Sequence, residues 1–313
     1  MTDLNPAAPK KGPAIILLVI GGALILLLGL ALVAMFLVSG TSGPRPFSGG
    51  EVAVIPIMGE IQSHTDSFSN SFSSREIKDY LKQADEDSGV AAILLEIDSP
   101  GGGVVPSKEI AQAVASTKKP VVAYIENVGA SGGYYAASAS DYIVADEDSI
   151  TGSIGVIAII PSIESLLKEH GVNVQVLKKG TYKAAGNPFE DLSPADANMY
   201  QGMLDQAYAH FKRDILQYRP YLTAQRLDAV ADGRILTGEQ ALAAGLIDQT
   251  GSYDDAVKKA GDLAGIENPN AVLYAQKSHS LLDFFTGAGY NLGQGFQKGL
   301  TAGVSENVPQ VKT

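Results

Sequence analysis

The chain has 313 residues, of which 45% are hydrophobic, so it is long enough to bury a substantial core. Its formal net charge of −11 argues against a nucleic-acid partner, because phosphate binding needs clustered Lys and Arg. The absence of cysteine excludes a disulfide framework, a thiolate metal site and a cysteine nucleophile. The four histidines show no metal-ligand spacing, so we expect neither a metal nor a cofactor.

The first predicted element is a membrane anchor at residues 14–38. This run carries no charge, and at about 1.5 Å per residue it forms a helix of about 37 Å, which spans a bilayer with some tilt. Lys10 and Lys11 precede it and only Arg45 follows closely, so the positive-inside rule places residues 1–13 in the cytoplasm and the rest of the chain outside. The alternative is a cleaved signal peptide, whose apolar region is usually about 7–15 residues long.

The rest of the chain divides into a linker, one large domain and a tail. Residues 39–50 are rich in Gly, Ser and Pro, as is typical of a flexible tether. Between 51 and 276, short apolar runs alternate with helical patterns, which predicts an α/β fold with strands buried under helices. Residues 277–313 are rich in Gly and Ser around one apolar island at 281–285. For this tail, disorder and contact with a membrane or partner are both open interpretations.

Within the large domain the apolar runs and the caps predict the following elements. Strands are predicted at 52–57, 90–97, 120–126, 142–146, 172–177 and 271–276. Helices are predicted at 74–84, 107–117, 134–140, 163–170, 193–218 and 236–245. Ser193 is the expected N-cap ahead of Pro194 in the first turn, whereas Thr237 and Gly245 are expected to begin and end the last of these helices.

A glycine-rich loop, DSPGGG at 98–103, directly follows the predicted strand that ends at Ile97. Its backbone N–H groups are free to approach a ligand closely because no side chains intervene. The spacing matches neither of the common phosphate-binding loops. An ordinary strand-to-helix turn is the alternative interpretation.

The stretch GASGG, residues 129–133, places Ser131 between a predicted strand and a helix rich in small residues. A hydroxyl at the start of a helix lies near free N–H groups, which favour negative charge on an attacking oxygen or an oxyanion. The stretch also fits G-x-S-x-G, a pattern that occurs by chance in glycine-rich sequences. Ser131 is therefore a candidate nucleophile, and a simple N-cap is the alternative.

A serine nucleophile needs a base, and the sequence offers either histidine or lysine. No histidine downstream of Ser131 has a persuasive acidic partner in a strand-end loop: His170, His210, His279. A lysine kept neutral by apolar surroundings is also able to take the serine proton directly. Lys183 lies in GTYKAAGNPF, a loop after an apolar run, with Lys178 and Lys179 as nearby competitors. For any one lysine the alternative is a solvated surface charge.

Five motifs in order carry a resemblance to a known family: IDSPGGGVVPS (97–107), IENVGASGGYYAASASD (125–141), SITGSIGVI (149–157), KKGTYKAAGNPFE (178–190) and GRILTGEQALAAGLIDQTGS (233–252). Together they resemble the short form of the signal peptide peptidase A (SppA) family. The resemblance covers about residues 51–265, and the predicted anchor fits it as well. The tail after Lys277 is not covered.

The resemblance implies a role for each matching residue. Ser131 corresponds to the nucleophile and Lys183 to the general base, with Ser153 in TGSIG orienting the lysine amine. Gly101 and Gly132 correspond to the main-chain donors of the oxyanion hole. These five positions follow the family pattern without departure.

The resemblance also implies a fold, an assembly and a substrate class. The fold is the Clp protease/crotonase-like one of repeated β-β-α units, and the domain at 51–276 is catalytic. Homo-oligomers facing the membrane share each active site between neighbouring subunits. Substrates are cleaved signal peptides and other apolar peptides on the extracytoplasmic side of the cell membrane. The alternatives are a crotonase-like acyl-thioester enzyme and a non-catalytic membrane-anchored oligomeric scaffold.

Overall fold

A computed structural model describes residues 50–64 and 73–274, together with two helical positions, Leu26 and Gly29. The chain divides into two units, Met1–Phe47 and Ser48–Thr313, and the second holds the α/β fold. Apart from those two positions, the predicted anchor at 14–38 lies outside the described residues, as does the predicted tail at 277–313. Among the residues that are described, none of the helices has the length and apolar character needed to cross a membrane.

The described strands form one sheet: Glu51–Ile61 (β1), Val90–Gly102 (β2), Val121–Ala130 (β3), Tyr142–Ala145 (β4), Ile150–Gly152 (β5), Ile235–Thr237 (β6), Gln249–Thr250 (β7) and Asn270–Leu273 (β8). The order along the main path is β6-β5-β3-β2-β1-β8, with β4 beside β3 and β7 beside β4. Every pair is parallel except β5 with β6. Strand β3 is the branch point, because its first half pairs with β4 and its last three residues pair with β5.

The described helices are Ser74–Glu86 (α1), Val104–Ser116 (α2), Gly132–Ser138 (α3), Glu164–Glu169 (α4), Pro194–Tyr218 (α5), Ala224–Asp228 (α6), Gly238–Ala244 (α7) and Tyr253–Ala264 (α8). The predicted caps are confirmed. Ser193 caps α5 ahead of Pro194, and Thr237 caps α7. Gly245 closes α7 with a φ of 81°, a left-handed conformation that glycine adopts without a steric penalty.

The mixed α/β fold is held by strands that are buried on both faces. Leu94 and Leu95 are neighbours on β2, so their side chains point to opposite faces, and both are fully buried. On the face of Leu94, the covering helix is α8, which contributes Val257 and Ala260 to the same apolar cluster. This burial explains why the central strands have continuous apolar sequences instead of alternating ones.

The prediction of a strand at 172–177 is wrong. These residues belong to no strand of the described sheet, and Val172, Val174 and Leu177 are exposed. An apolar run becomes a strand only where an edge is available for hydrogen bonding, and none is beside it within the described chain. The sequence analysis also missed α8, whose buried residues are small apart from Val257: Ala256, Ala260 and Gly261. It missed β5, β6 and β7, which are two or three residues long.

A buried carboxylate, Asp214 on α5, connects three helices. The Tyr135 hydroxyl on α3 donates to Asp214 Oδ2 at 2.5 Å, and Arg213 donates to Oδ1 at 2.9 and 2.6 Å. Lys108 Nζ on α2 lies 3.7 Å from Oδ2. Burial alone would raise the pKa of Asp214, but the hydrogen bonds from Tyr135 and Arg213 outweigh it, so the pKa lies below its ordinary value of 3.8. Asp214 is therefore charged in the folded protein.

The depressed pKa of Asp214 predicts a pH-dependent contribution to stability. A carboxylate whose pKa is lower in the folded than in the unfolded state stabilises the fold above its ordinary pKa, and this contribution is lost as the pH falls through the folded value. We expect Asp214→Asn to lower the free energy of unfolding at neutral pH by about 1–3 kcal/mol, since hydrogen bonds to a charged acceptor are removed. The difference from wild type should shrink below a pH of 3.8.

Urea unfolding of the full-length chain at a series of pH values measures this effect. The control is Asp205→Asn, because Asp205 is exposed on the same helix and its carboxylate accepts a solvent-exposed hydrogen bond from Gln201. A loss in Asp214→Asn that is independent of pH, or no loss at all, contradicts the prediction.

Candidate active site

The carboxyl ends of three parallel strands bring the predicted serines to one place. Gly101 lies near the end of β2, Ser131 directly follows β3, and Ser153 directly follows β5. The Ser131 N–H donates to the Gly152 carbonyl at 2.9 Å, which holds it beside the strand that leads to Ser153. A cavity of about 610 Å³ is lined by Gly101, Ser131, Gly132 and Ser153. Four of the five predicted site residues therefore lie together within one chain.

Both serines have a backbone conformation that non-glycine residues rarely adopt. The φ angle is 51° at Ser131 and 49° at Ser153, and no other non-glycine residue in the described ranges has a positive φ. Such a conformation costs about 1–3 kcal/mol and persists only where the surrounding structure enforces it. Here the Ser131 carbonyl accepts the Tyr135 N–H at 2.9 Å, in addition to the bond from the Ser131 N–H to Gly152. Strain of this kind concentrates at functional sites.

The Ser131 side chain is not used to cap the helix that follows. Ser131 occupies the N-cap position of α3, but its side chain makes no capping hydrogen bond. The alternative interpretation of this serine as a helix cap is therefore wrong. The residue is partly exposed and lines the cavity, so its hydroxyl is available to a bound molecule.

Bare backbone surrounds Ser131 because side chains do not fit there. A Cβ at Gly101, where φ is 101°, would lie 2.5 Å from the Gly132 nitrogen and 2.9 Å from Ser131 Cβ. A Cβ at Gly132 would lie 2.2 Å from Ser107 Oγ. The N–H groups of Gly101 and Gly132, the two predicted oxyanion donors, differ in their hydrogen bonds. The Gly101 N–H donates to Ser99 Oγ at 3.1 Å, whereas Gly132 is the first residue of α3 and its N–H has no acceptor within that helix.

Lys183, the fifth predicted residue, does not line the cavity of Ser131 in the same chain. It is exposed, and it lines a separate cavity of about 510 Å³ together with Leu177 and Phe189. Its competitor Lys178 is paired with Glu190 at 3.7 Å on the surface. One chain by itself therefore holds the candidate nucleophile without the candidate base.

Histidine is absent from the described lining of the cavity. The His170 Nδ1 lies 2.9 Å from the Leu166 carbonyl on the surface, and His210 lines a neighbouring groove. His279 lies outside the described residues. No group of three or more His, Cys, Asp or Glu side chains within the described ranges is arranged to hold a metal ion. The charged side chains that line the cavity are two carboxylates, Glu60 and Asp232.

The sequence analysis missed the wall of the cavity that α5 forms. Ala207 and Phe211 on α5 line it, and the Phe211 ring stacks on Tyr135 with centroids 4.3 Å apart. Tyr135 belongs to the GASGGYY motif, so its position next to the serine was a usable signal. For Ala207 and Phe211 the sequence contains no such signal, because they come from a helix more than 70 residues away and reach the site only through packing.

Two family models match this chain. The model of peptidase family S49 matches residues 113–267, which include Ser131, Ser153 and Lys183, and that of the NfeD1b N-terminal domain matches residues 51–165. A relative from Methanocaldococcus jannaschii, named "Putative protease MJ0651", is 34% identical over 91% of this chain and 93% of its own length. One from Enterococcus faecium, named "Putative signal peptide peptidase SppA", is 38% identical over 61% of this chain and 58% of its own length.

Among solved structures, a variant of the 1510-N membrane-bound stomatin-specific protease is 19% identical, with a TM-score of 0.47, over 73% of this chain and 99% of that one. The sequence relationships are much stronger than this structural likeness. Because the first relative matches over nearly its whole length and the family model covers the serines and the lysine, the chain belongs to peptidase family S49, the SppA-like serine peptidases.

Proposed function

We propose that this protein is a membrane-anchored serine endopeptidase with Ser131 as nucleophile and Lys183 as general base. One observation carries the proposal. Ser131 combines a strained backbone and a side chain without a capping bond with a position in a large cavity beside bare glycine backbone. Membership of family S49 supplies the reaction class, which is peptide-bond hydrolysis.

The reaction proceeds by acyl transfer. A neutral lysine amine takes the proton of the Ser131 hydroxyl as its oxygen attacks the carbonyl carbon of the scissile bond. The negative charge on the carbonyl oxygen is stabilised by main-chain N–H groups. Gly132 is one donor, and Gly101 becomes the second when its bond to Ser99 is released. The lysine returns its proton to the leaving amine. It then takes a proton from a water molecule that attacks the acyl carbonyl, and it delivers this proton to Ser131 Oγ as the bond between Oγ and the acyl group breaks.

Ser153 positions the lysine instead of reacting with the substrate. It lines the same cavity as Ser131, and its N–H donates to the Arg234 carbonyl at 2.8 Å. This bond fixes the backbone of Ser153, whose hydroxyl is able to hydrogen-bond the lysine amine in either protonation state. The strained φ of 49° at Ser153 is consistent with a positioning role.

The lysine reaches the serine from a neighbouring copy of the chain. Lys183 is exposed and lines a different cavity in its own chain. The segments on either side of α4, which form neither helix nor strand, leave three apolar side chains almost fully exposed: Ile157 at 83%, Ile159 at 84% and Leu177 at 95%. Exposed apolar surface of this kind marks an interaction site. A closed head-to-tail ring buries it and brings one lysine to each serine.

Membrane attachment follows from the N-terminal sequence. The uncharged run at 14–38, with Lys10 and Lys11 before it, supports a single-pass anchor with a cytoplasmic N terminus and an extracytoplasmic catalytic domain. A domain tethered by residues 39–50 works close to the bilayer. Cleaved signal peptides and other apolar peptides are therefore its substrates.

Parallel strands that end in glycine-rich loops support the Clp protease/crotonase-like fold. Two other functions are compatible with this fold. A crotonase-like enzyme uses glycine N–H groups as an oxyanion hole for thioesters and needs no serine. A membrane-anchored scaffold needs no cavity. Both alternatives leave the strained, uncapped Ser131 without a role, which favours the peptidase.

Replacing Ser131 by alanine should lower kcat for peptide hydrolysis by roughly 10⁴-fold or more, because the nucleophile is lost. A serine-directed phosphonate probe should label wild type at Ser131 and fail to label the variant. The control is Ser116→Ala, since Ser116 is exposed on α2 and its hydroxyl donates to the Ala113 carbonyl away from the cavity. Peptide turnover by Ser131→Ala contradicts the proposal, and thioester turnover by that variant supports the crotonase-like alternative.

Mixing two inactive variants tests the shared site. Ser131→Ala and Lys183→Ala chains, unfolded and refolded together in equal amounts, should recover about a quarter of wild-type activity. In a random head-to-tail ring, about one interface in four joins an intact serine to an intact lysine. Each variant refolded alone is the control. If the mixture stays inactive while refolded wild type is active, the lysine acts within its own chain.

A further inference from the structure

The wall of the cavity that α5 forms is connected to Ser131 through Tyr135. Tyr135 lies one turn after Ser131 on α3, and its N–H donates to the Ser131 carbonyl. Its ring stacks on Phe211 of α5 at an interplanar angle of 20°, and its hydroxyl donates to Asp214, one turn further along α5. The side chains of α5 that face the cavity are therefore placed rigidly relative to the nucleophile.

Ala207 lies one turn before Phe211 on this wall, where two cavities meet. It lines the cavity of Ser131 and also a neighbouring groove of about 460 Å³ between α2 and α5. Val104 and Tyr135 are shared by both cavities in the same way. Because the alanine side chain is small, little separates the cavity of Ser131 from the groove at this position. A larger side chain at 207 has to project into one of the two spaces.

The apolar part of the cavity lining suits an apolar side chain. Apolar surface comes from Val104, Val156 and Phe211, and Tyr135 presents its ring because its hydroxyl is bonded to Asp214. The described lining contains no Lys, Arg or His, and its two charged groups are both carboxylates. An acidic substrate side chain is therefore repelled, whereas an apolar one replaces water against apolar surface.

The geometry points to Ala207 as the residue that sets the size of the apolar substrate side chain next to the scissile bond. This inference rests on the proposed function, because it requires the acyl group to be attached to Ser131. The side chain of the residue that supplies the acyl carbonyl then enters the space between Ser131 and α5. How far it enters depends on the side chain at position 207.

The test compares full-length variants on peptides that differ only in the residue on the acyl side of the scissile bond, which is Ala, Leu or Phe. We expect Ala207→Phe to lower kcat/KM for the Leu and Phe peptides relative to the Ala peptide by about tenfold or more, since one or two methylenes in an apolar pocket change selectivity by that factor. We expect Ala207→Gly to shift the preference toward the Phe peptide. The matched control is Met203→Phe, because Met203 lies one turn earlier on α5 and lines the groove but not the cavity.

Two failures are distinguishable in this experiment. If Ser131→Ala cleaves the peptides as wild type does, the proposed function fails. If wild type depends on Ser131 but Ala207→Phe keeps the wild-type ranking of the three peptides, or Met203→Phe changes that ranking equally, the inference about Ala207 is overturned. Thermal unfolding of each variant is recorded in parallel. Should Ala207→Phe not fold, Ala207→Val is judged by the same ranking, with a smaller shift expected in the same direction.

Discussion

The left-handed backbone at Ser131 is the constraint on which the site depends. It occurs where β3 ends and α3 begins, and it turns the serine side chain toward the cavity and away from the helix end that it would otherwise cap. Two main-chain hydrogen bonds, to Gly152 and from Tyr135, hold this conformation from both sides. Gly101 packs so closely that a Cβ there would overlap Gly132. The close approach of two strand ends therefore enforces the strain at the serine.

The rest of the site follows from the parallel order of the strands. Because β2, β3 and β5 run in the same direction and are neighbours, their carboxyl ends deliver Gly101, Ser131 and Ser153 to one edge of the sheet. Helix α5 then closes one side of the cavity, and it is tied to the helix that follows Ser131 by the contact between Tyr135 and Phe211 and by the buried Asp214. The contact that buries Asp214 therefore also fixes the wall of the cavity that α5 forms.

The elements that the sequence predicted well are those with a strong local signal. Examples are the caps at Ser193 and Thr237 and the long apolar runs of β1 to β3. Helix capping and burial on both faces of a sheet each require particular residue types, which are visible in the sequence. The run at 172–177 carries the same apolar mark but forms no strand in the described fold. An apolar run indicates that a segment tends to be buried, but it does not indicate which part of the protein buries it.

Motif and residue type were enough to select Ser131 and Lys183 as candidates and to indicate an α/β fold, and the resemblance to the SppA family added Ser153, Gly101 and Gly132. Sequence could not show that four of these residues share a cavity while Lys183 lines another. It also could not show that Ala207 and Phe211 line the cavity of Ser131. The physical reason is that a motif encodes local backbone and chemistry. Distances between residues far apart in the chain arise only when strands pair and helices pack.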